Sequence, residues 1–308
     1  MTSASVDFAA MAGKGANPAN LPSSSDIPWN KKQTSPIKII GTIIGYLGML
    51  CLTIFMVLPF VWMFLAAVKP NNEVFMVPFK WLPSVWHWEN YINIWTDSNM
   101  LTWLGNTVFF AICVTFLQVF TGSFAAYGFS KIKFPGRNVL FLIYIATMAV
   151  PWQAYMIPQF KILSAIHLTD TRWSIILLQA FGAFGVFMMK QFYDTIPEEL
   201  SEAARLDGLS EWGIYRRIVL PLSGPSIAAL GIITFTNTWN DYMGPLMYLR
   251  SPSLQTIQLG LKTFISQNSA NYAMVMTGSV MSVLPILIVF LIGQKQFVEG
   301  IATSGMKG

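Results

Sequence analysis

Charge is scarce in this sequence. Only 11% of its 308 residues are Asp, Glu, Lys or Arg, where a soluble domain carries about a quarter. With 54% hydrophobic residues and a mean hydropathy of +0.53, that deficit excludes an ordinary soluble domain and makes the chain an integral membrane protein. Histidine is rarer still. His87 and His167 lie far apart in loops, which excludes a histidine-based metal site within this chain. The two cysteines, Cys51 and Cys113, both fall inside apolar runs. They read as small packing residues, with neither a disulfide framework nor metal-ligand spacing. No G-x-x-x-x-G-K-[ST] occurs, so the chain carries no phosphate-binding P-loop of its own and no cofactor site is read from it.

What the chain has in abundance is apolar length. Residues 39–68 run without a charge, and a bilayer span needs about 20 such residues. Further spans are read at 101–128, 139–163, 173–192, 226–249 and 273–291. The expectation is an all-α integral membrane fold with six transmembrane helices. Residues 1–35, rich in Ser, Ala, Asn, Gly and Pro, read as a disordered cytoplasmic tail and not as a secretory signal. Residues 36–308 read as one six-span domain. Pro59 is expected to bend the first span, and Pro151 and Pro158 to leave the second half of the third irregular. Trp81, Trp86, Trp88 and Trp95 mark an interfacial segment. Gly122, Ala125, Ala126 and Gly128 offer a close helix contact.

Six spans put both termini on one side. Of the 19 Lys and Arg residues, 13 fall on the side of the termini and 6 on the other. The positive-inside rule therefore makes the termini, the 129–138 loop and the 194–225 loop cytoplasmic.

That last loop is the most charged part of the chain, DTIPEELSEAARLDGLSEWGIYRRIVLPLSGP. Thr195 and Glu198 have capping-box spacing, with Pro197 in the first turn. Asp207-Gly208 ends the first helix, because glycine takes the left-handed conformation of a helix stop at little cost. Ser210 caps a second helix with Trp212, Ile214, Tyr215 and Ile218 as its apolar positions, and Pro221 and Pro225 break it. Such a helix pair, with small alanines on one face, suits docking into a partner's groove. Ala204, Gly208 and Ile214 also fall at helix-turn-helix spacing. However, six acids against three arginines give no basic face, so nucleic acid is not the expected partner.

The loop resembles the EAA loop of ABC-importer permeases, E-A-A-x3-G-x9-I-x-L-P. It matches at Glu202, Ala203, Ala204, Gly208, Ile218, Leu220 and Pro221. The resemblance implies that this is a coupling helix seated on a separate ATPase subunit, with Asp207 at its corner. It also implies a second related permease subunit, an ATPase dimer that binds the ATP and Mg, and an external solute-binding protein. The ending FVEGIATSGMKG is similar to the carboxyl tail of carbohydrate permeases of the maltose-system, MalG-like type, and TWNDYMGPL to their fifth span. This implies a carbohydrate cargo, and a tail contact with the ATPase through Glu299, Gly300 and Lys307.

Polar groups at membrane depth are costly unless they face protein or water. Asn237, Trp239, Asn240 and Asp241 of the fifth span are therefore pathway candidates, with Gln153 of the third span a second one. Amides could bond sugar hydroxyls and Trp239 could stack on a ring. Helix-to-helix hydrogen bonding explains the asparagines equally well. The expected function is a transport subunit without chemistry of its own. Two alternatives stand beside carbohydrate import: an ABC permease for a glycerophosphodiester or polyol, and an ion-coupled secondary carrier. The first needs intramembrane cations and the second paired intramembrane acids with an internal repeat; neither is visible.

Overall fold

A computed structural model describes residues 36–265 and 270–305, with side chains at 40–265 and 270–296. The chain divides into two units at Leu58/Pro59. Of the first, the described part is the beginning of α1 (Pro36–Ala67). Its apolar side chains from Ile40 to Leu58 are exposed, as lipid-facing or partner-facing residues are. Everything below concerns the second unit, which begins at Pro59.

Helices α2 (Asn90–Thr96), α3 (Met100–Lys131), α4 (Arg137–Ala146), α5 (Met156–Ala165), α6 (Arg172–Gln179) and α7 (Ala183–Tyr193) come first. The loop helices α8 (Glu198–Leu206), α9 (Glu211–Ile214) and α10 (Leu220–Leu222) follow. Then come α11 (Gly224–Trp239), α12 (Met243–Tyr248), α13 (Ile257–Leu261) and α14 (Tyr272–Gly305). Among the described residues no strand forms beyond an isolated bridge between Ile265 and Ala270.

Helix α3 packs on α7 and α11, and α11 packs on α14. Small residues permit the approach. A side chain on Gly122 would meet the backbone of Gly185 at 3.3 Å, so α3 and α7 touch main chain to main chain. In lipid such contacts, not exclusion of water, hold helices together. The core at the polar-loop end joins Ala126 and Tyr127 of α3, Val186 and Met189 of α7, Leu230 of α11, and Ala204, Ile214 and Tyr215 of the polar loop.

Among the described residues four helices are long and apolar enough to cross a bilayer: Ile40–Ala67, Met100–Lys131, Arg172–Tyr193 and Tyr272–Gln296. A fifth is counted if Glu211–Leu222 and Gly224–Trp239, bent by 78°, form one span. The expected third span is not a continuous helix. After α4 the chain passes through two short 3₁₀ turns about Pro151 before α5 resumes. Proline lacks the N–H that would continue the ladder and pushes its predecessor out of the α region; Val150 is extended accordingly (φ −85°, ψ 114°). The fourth span is also interrupted, at residues 180–182, where the hydroxyl of Thr121 donates to the freed carbonyl of Ala180 at 2.6 Å.

Candidate functional site

The polar loop folds as an elbow. Gly208 takes φ +84°, so the sharp stop after α8 uses glycine's freedom. Ser210 then caps α9 by accepting from Gly213 N–H at 3.3 Å. Two local expectations are corrected. The Thr195 hydroxyl does not cap α8 but donates to Phe192 O at the end of α7 (2.7 Å); Pro197 occupies the cap, and the Glu198 carboxylate is taken by cations instead. Pro221 does not break the second helix. Residues 215–219 widen into a π-turn, in which Leu220 N–H reaches back to Tyr215 O, and the chain continues to Leu222. The break comes at Ser223, whose hydroxyl bonds the carbonyls of Val219 and Leu220, both at 2.9 Å.

The two alanines of the motif face opposite ways. Ala204 is buried in the chain's own core, together with Ser201, while Glu202, Ala203, Asp207 and Gly208 are exposed. Leu206 is 90% exposed at the tip. Ile218 and Leu220 are half-buried against the core and Pro221 is exposed.

The inner side of the elbow is tied to α3 by polar bonds. Tyr127 donates to Glu211 at 2.7 Å, and Arg205 Nε donates to the other Glu211 oxygen at 2.8 Å. Arg205 also reaches Glu198 at 3.3 Å, and Lys131 lies 3.6 Å from that carboxylate. Lys131, buried at the end of α3, donates to Ile196 O at 2.7 Å. Deeper in, Ser123 joins the hydroxyls of Tyr193 and Tyr215 at 2.7 and 2.9 Å. Hydrogen bonding from Arg205 holds the Glu211 carboxyl below its ordinary 4.5, with partial burial opposing and the Tyr127 hydroxyl assisting. None of these ties was read from the sequence. Their partners lie 65 to 92 residues apart or on different turns, with no spacing to announce them.

The pathway candidates separate. Asn237 and Asp241 line a cavity of about 330 Å³ shared with Trp152, Gln159, Gln179 and Tyr248. Trp239 does not. It is fully buried, stacks on Phe235 at 5.5 Å and donates to Ser282 O at 3.0 Å, so it fastens α11 to α14. Gln153 is exposed outside the cavity lining, and Asn240 is exposed and donates to its own helix at Thr236 O (3.0 Å). Missed from sequence were Gln159 and Gln179. The signal that picked out Gln153, an amide in an apolar stretch, applied to them too. The Glu299 side chain and all of Lys307 lie outside the described residues, and of Gly300 only its place in α14 is described.

The fold is that of a helical, multi-pass membrane protein. The chain belongs to the family of binding-protein-dependent transport system inner membrane components, whose family model matches residues 118–297. It is accordingly a permease, a transport component and not an enzyme. It is 34% identical to the arabinooligosaccharides transport system permease protein AraQ of Halalkalibacterium halodurans, over 90% of this chain and 100% of that one. It is 32% identical to the sn-glycerol-3-phosphate transport system permease protein UgpE of Pectobacterium atrosepticum, over 78% of this chain and 89% of that one. Its fold matches, with a TM-score of 0.75, the crystal structure of a bacterial ABC transporter involved in the import of the acidic polysaccharide alginate. That match has 24% identity and covers 85% of this chain and 98% of the other.

Proposed function

We infer that this chain is one of two permease subunits of an ATP-driven importer, that it carries a carbohydrate, and that the Glu202–Gly208 elbow is its coupling helix. The observation that carries the coupling role is the elbow itself. It is an acid-rich projection with Leu206 almost fully exposed at its tip, pinned from behind to a membrane-spanning helix. An exposed apolar side chain beside exposed carboxylates is what a protein groove would cover. Glu202, Ala203, Asp207 and Gly208 face the partner; Ala204, Ile218, Leu220 and Pro221 shape the elbow.

In this reading an ATPase dimer holds ATP and Mg, and its closure moves the elbow. The motion shifts the permease pair between inward-facing and outward-facing states, as a partner's ligand biases a two-state equilibrium. An external binding protein delivers the cargo. Six spans place both termini and the elbow in the cytoplasm. Helices α4 and α5 make the third span across the Pro151 break, and α11 with α12 make the fifth. Residues 1–35 form a cytoplasmic tail, and Glu299, Gly300 and Lys307 bring the carboxyl tail to the ATPase. Carbohydrate is favoured by the arabino-oligosaccharide relative. The glycerol-3-phosphate relative supports a second reading, a phosphorylated polyol, but no Lys or Arg lines the cavity to hold a phosphate.

The test is a tagged pull-down from gently solubilised membranes with mass spectrometry of what co-purifies. The importer reading expects a P-loop ATPase and a second multi-span permease. Recovery of this chain alone, even after cross-linking in intact cells, would overturn it.

A further inference from the structure

Three interruptions of the membrane helices meet at one place. The first is the Pro151 break, the second the unwound stretch 180–182, and the third the gap 240–242 between α11 and α12. Each brings its flanking residue to the same cavity: Trp152, Gln179 and Asp241. Irregular backbone at membrane depth persists only where protein or a water-filled cavity satisfies it. Three breaks around one cavity are therefore costly to maintain unless the cavity is used.

Its lining is amphipathic in a particular way. Gln159 Oε1 accepts from both Trp152 Nε1 (2.9 Å) and the Tyr248 hydroxyl (2.7 Å). Gln179 bridges Thr238, whose hydroxyl donates to it at 3.1 Å, and Asp241, to which it donates at 2.7 Å. Asp241 in turn accepts from Gly244 N–H at 3.0 Å, which fixes the corner into α12. Two groups keep bonding capacity to spare: the amide nitrogen of Gln159, whose oxygen is already engaged, and the exposed Asn237 amide have no hydrogen-bond partner among the described residues. Trp152 and Tyr248, 6.3 Å apart and steeply inclined, supply the apolar faces.

We propose that this cavity is a cargo-binding site within this subunit, and that it takes a neutral, hydroxyl-rich ring such as one sugar unit. The inference rests on the importer reading above and narrows its cargo. Amides offer a donor and an acceptor together, which pairs with a hydroxyl. Aromatic faces pack against the C–H side of a ring. With no Lys or Arg among its lining residues, the cavity offers no cation to hold an anion. A volume of about 330 Å³ lies at the small end of ligand pockets, roughly 300–1,000 Å³. It holds the end of an oligosaccharide and not its length.

The experiment uses the complete membrane complex in nanodiscs, without the external binding protein. Saturation-transfer NMR is recorded against arabinotriose, maltotriose, glucose and sn-glycerol-3-phosphate. The proposal expects transfer to at least one neutral sugar, falling at least about five-fold in Asn237→Leu and Gln159→Leu and unchanged in Gln153→Leu, which lies outside the lining. Asn237→Ala, a smaller change at an exposed position, gives the same reading if leucine blocks assembly. Transfer to no neutral sugar, transfer to the phosphate alone, or equal transfer in the lining variants would each overturn the site. The importer reading stands or falls separately, on whether an ATPase co-purifies.

Discussion

Gly208 is the residue on which the elbow turns. At φ +84° any side chain with a Cβ costs about 1–2 kcal/mol, and a β-branched one more. The space around it is otherwise open, so the penalty is conformational and local. Gly208→Val should leave the helices assembled yet tilt α8 against α9. The expected result is an intact complex whose ATP hydrolysis proceeds while solute uptake falls at least ten-fold. Hydrolysis and uptake that remain in step would count against the corner. Trp239 makes the opposite case. Its ring is buried and its N–H reaches Ser282, so Trp239→Ala should cost about 3–5 kcal/mol of stability, read as a fall in melting temperature. The milder Trp239→Phe should leave solute preference where it was; a changed preference would return Trp239 to the pathway.

At the scale of elements, α8, α9 and α3 behave as one body through the Tyr127–Glu211–Arg205–Glu198 bonds. A carboxyl held below its ordinary 4.5 stabilises the fold fully above that value and loses its contribution as pH falls through the lowered one. The link therefore persists at neutral pH and down to about 4.5, and weakens below. Glu211→Gln should lower the melting temperature by a constant amount between pH 8 and 5, worth under about 1 kcal/mol for so accessible a pair, and the difference should shrink towards nothing as the pH is taken further below 4.5. A difference that persists there would mean that shape, and not charge, ties the elbow down. Between α3 and α7, Gly122→Leu would drive a side chain into the Gly185 backbone. Overpacking of this kind costs about 1–3 kcal/mol, so reduced thermal stability is expected; unchanged melting would deny the close contact.

For the molecule as a whole, the orientation is open to direct labelling. With Cys51 and Cys113 replaced, a single cysteine at exposed Asp207 should react with a membrane-impermeant maleimide only in inside-out vesicles. One at exposed Asp97 should react only in right-side-out ones. The reverse pattern would invert the positive-inside count of 13 to 6.

The sequence determined the things that depend on neighbours along the chain. Charge-free length announces a membrane helix, Asp207-Gly208 a left-handed stop, Ser210 a cap, and the Pro151 region a break, because each is a matter of local backbone chemistry. The same locality explains the family resemblance, carried by seven positions within twenty residues. Tertiary structure decided what faces what. Ala203 and Ala204 are adjacent and chemically identical, yet one is exposed and the other buried, since the rotation of α8 is set by which of its faces enters the core. Trp239 and Asn237, two residues apart, part company for the same reason: one turns towards α14 and the other lines the cavity. Gln159, Gln179 and Asp241 come to line one cavity only when three separate breaks are brought together, a coincidence in space that no spacing along the chain encodes.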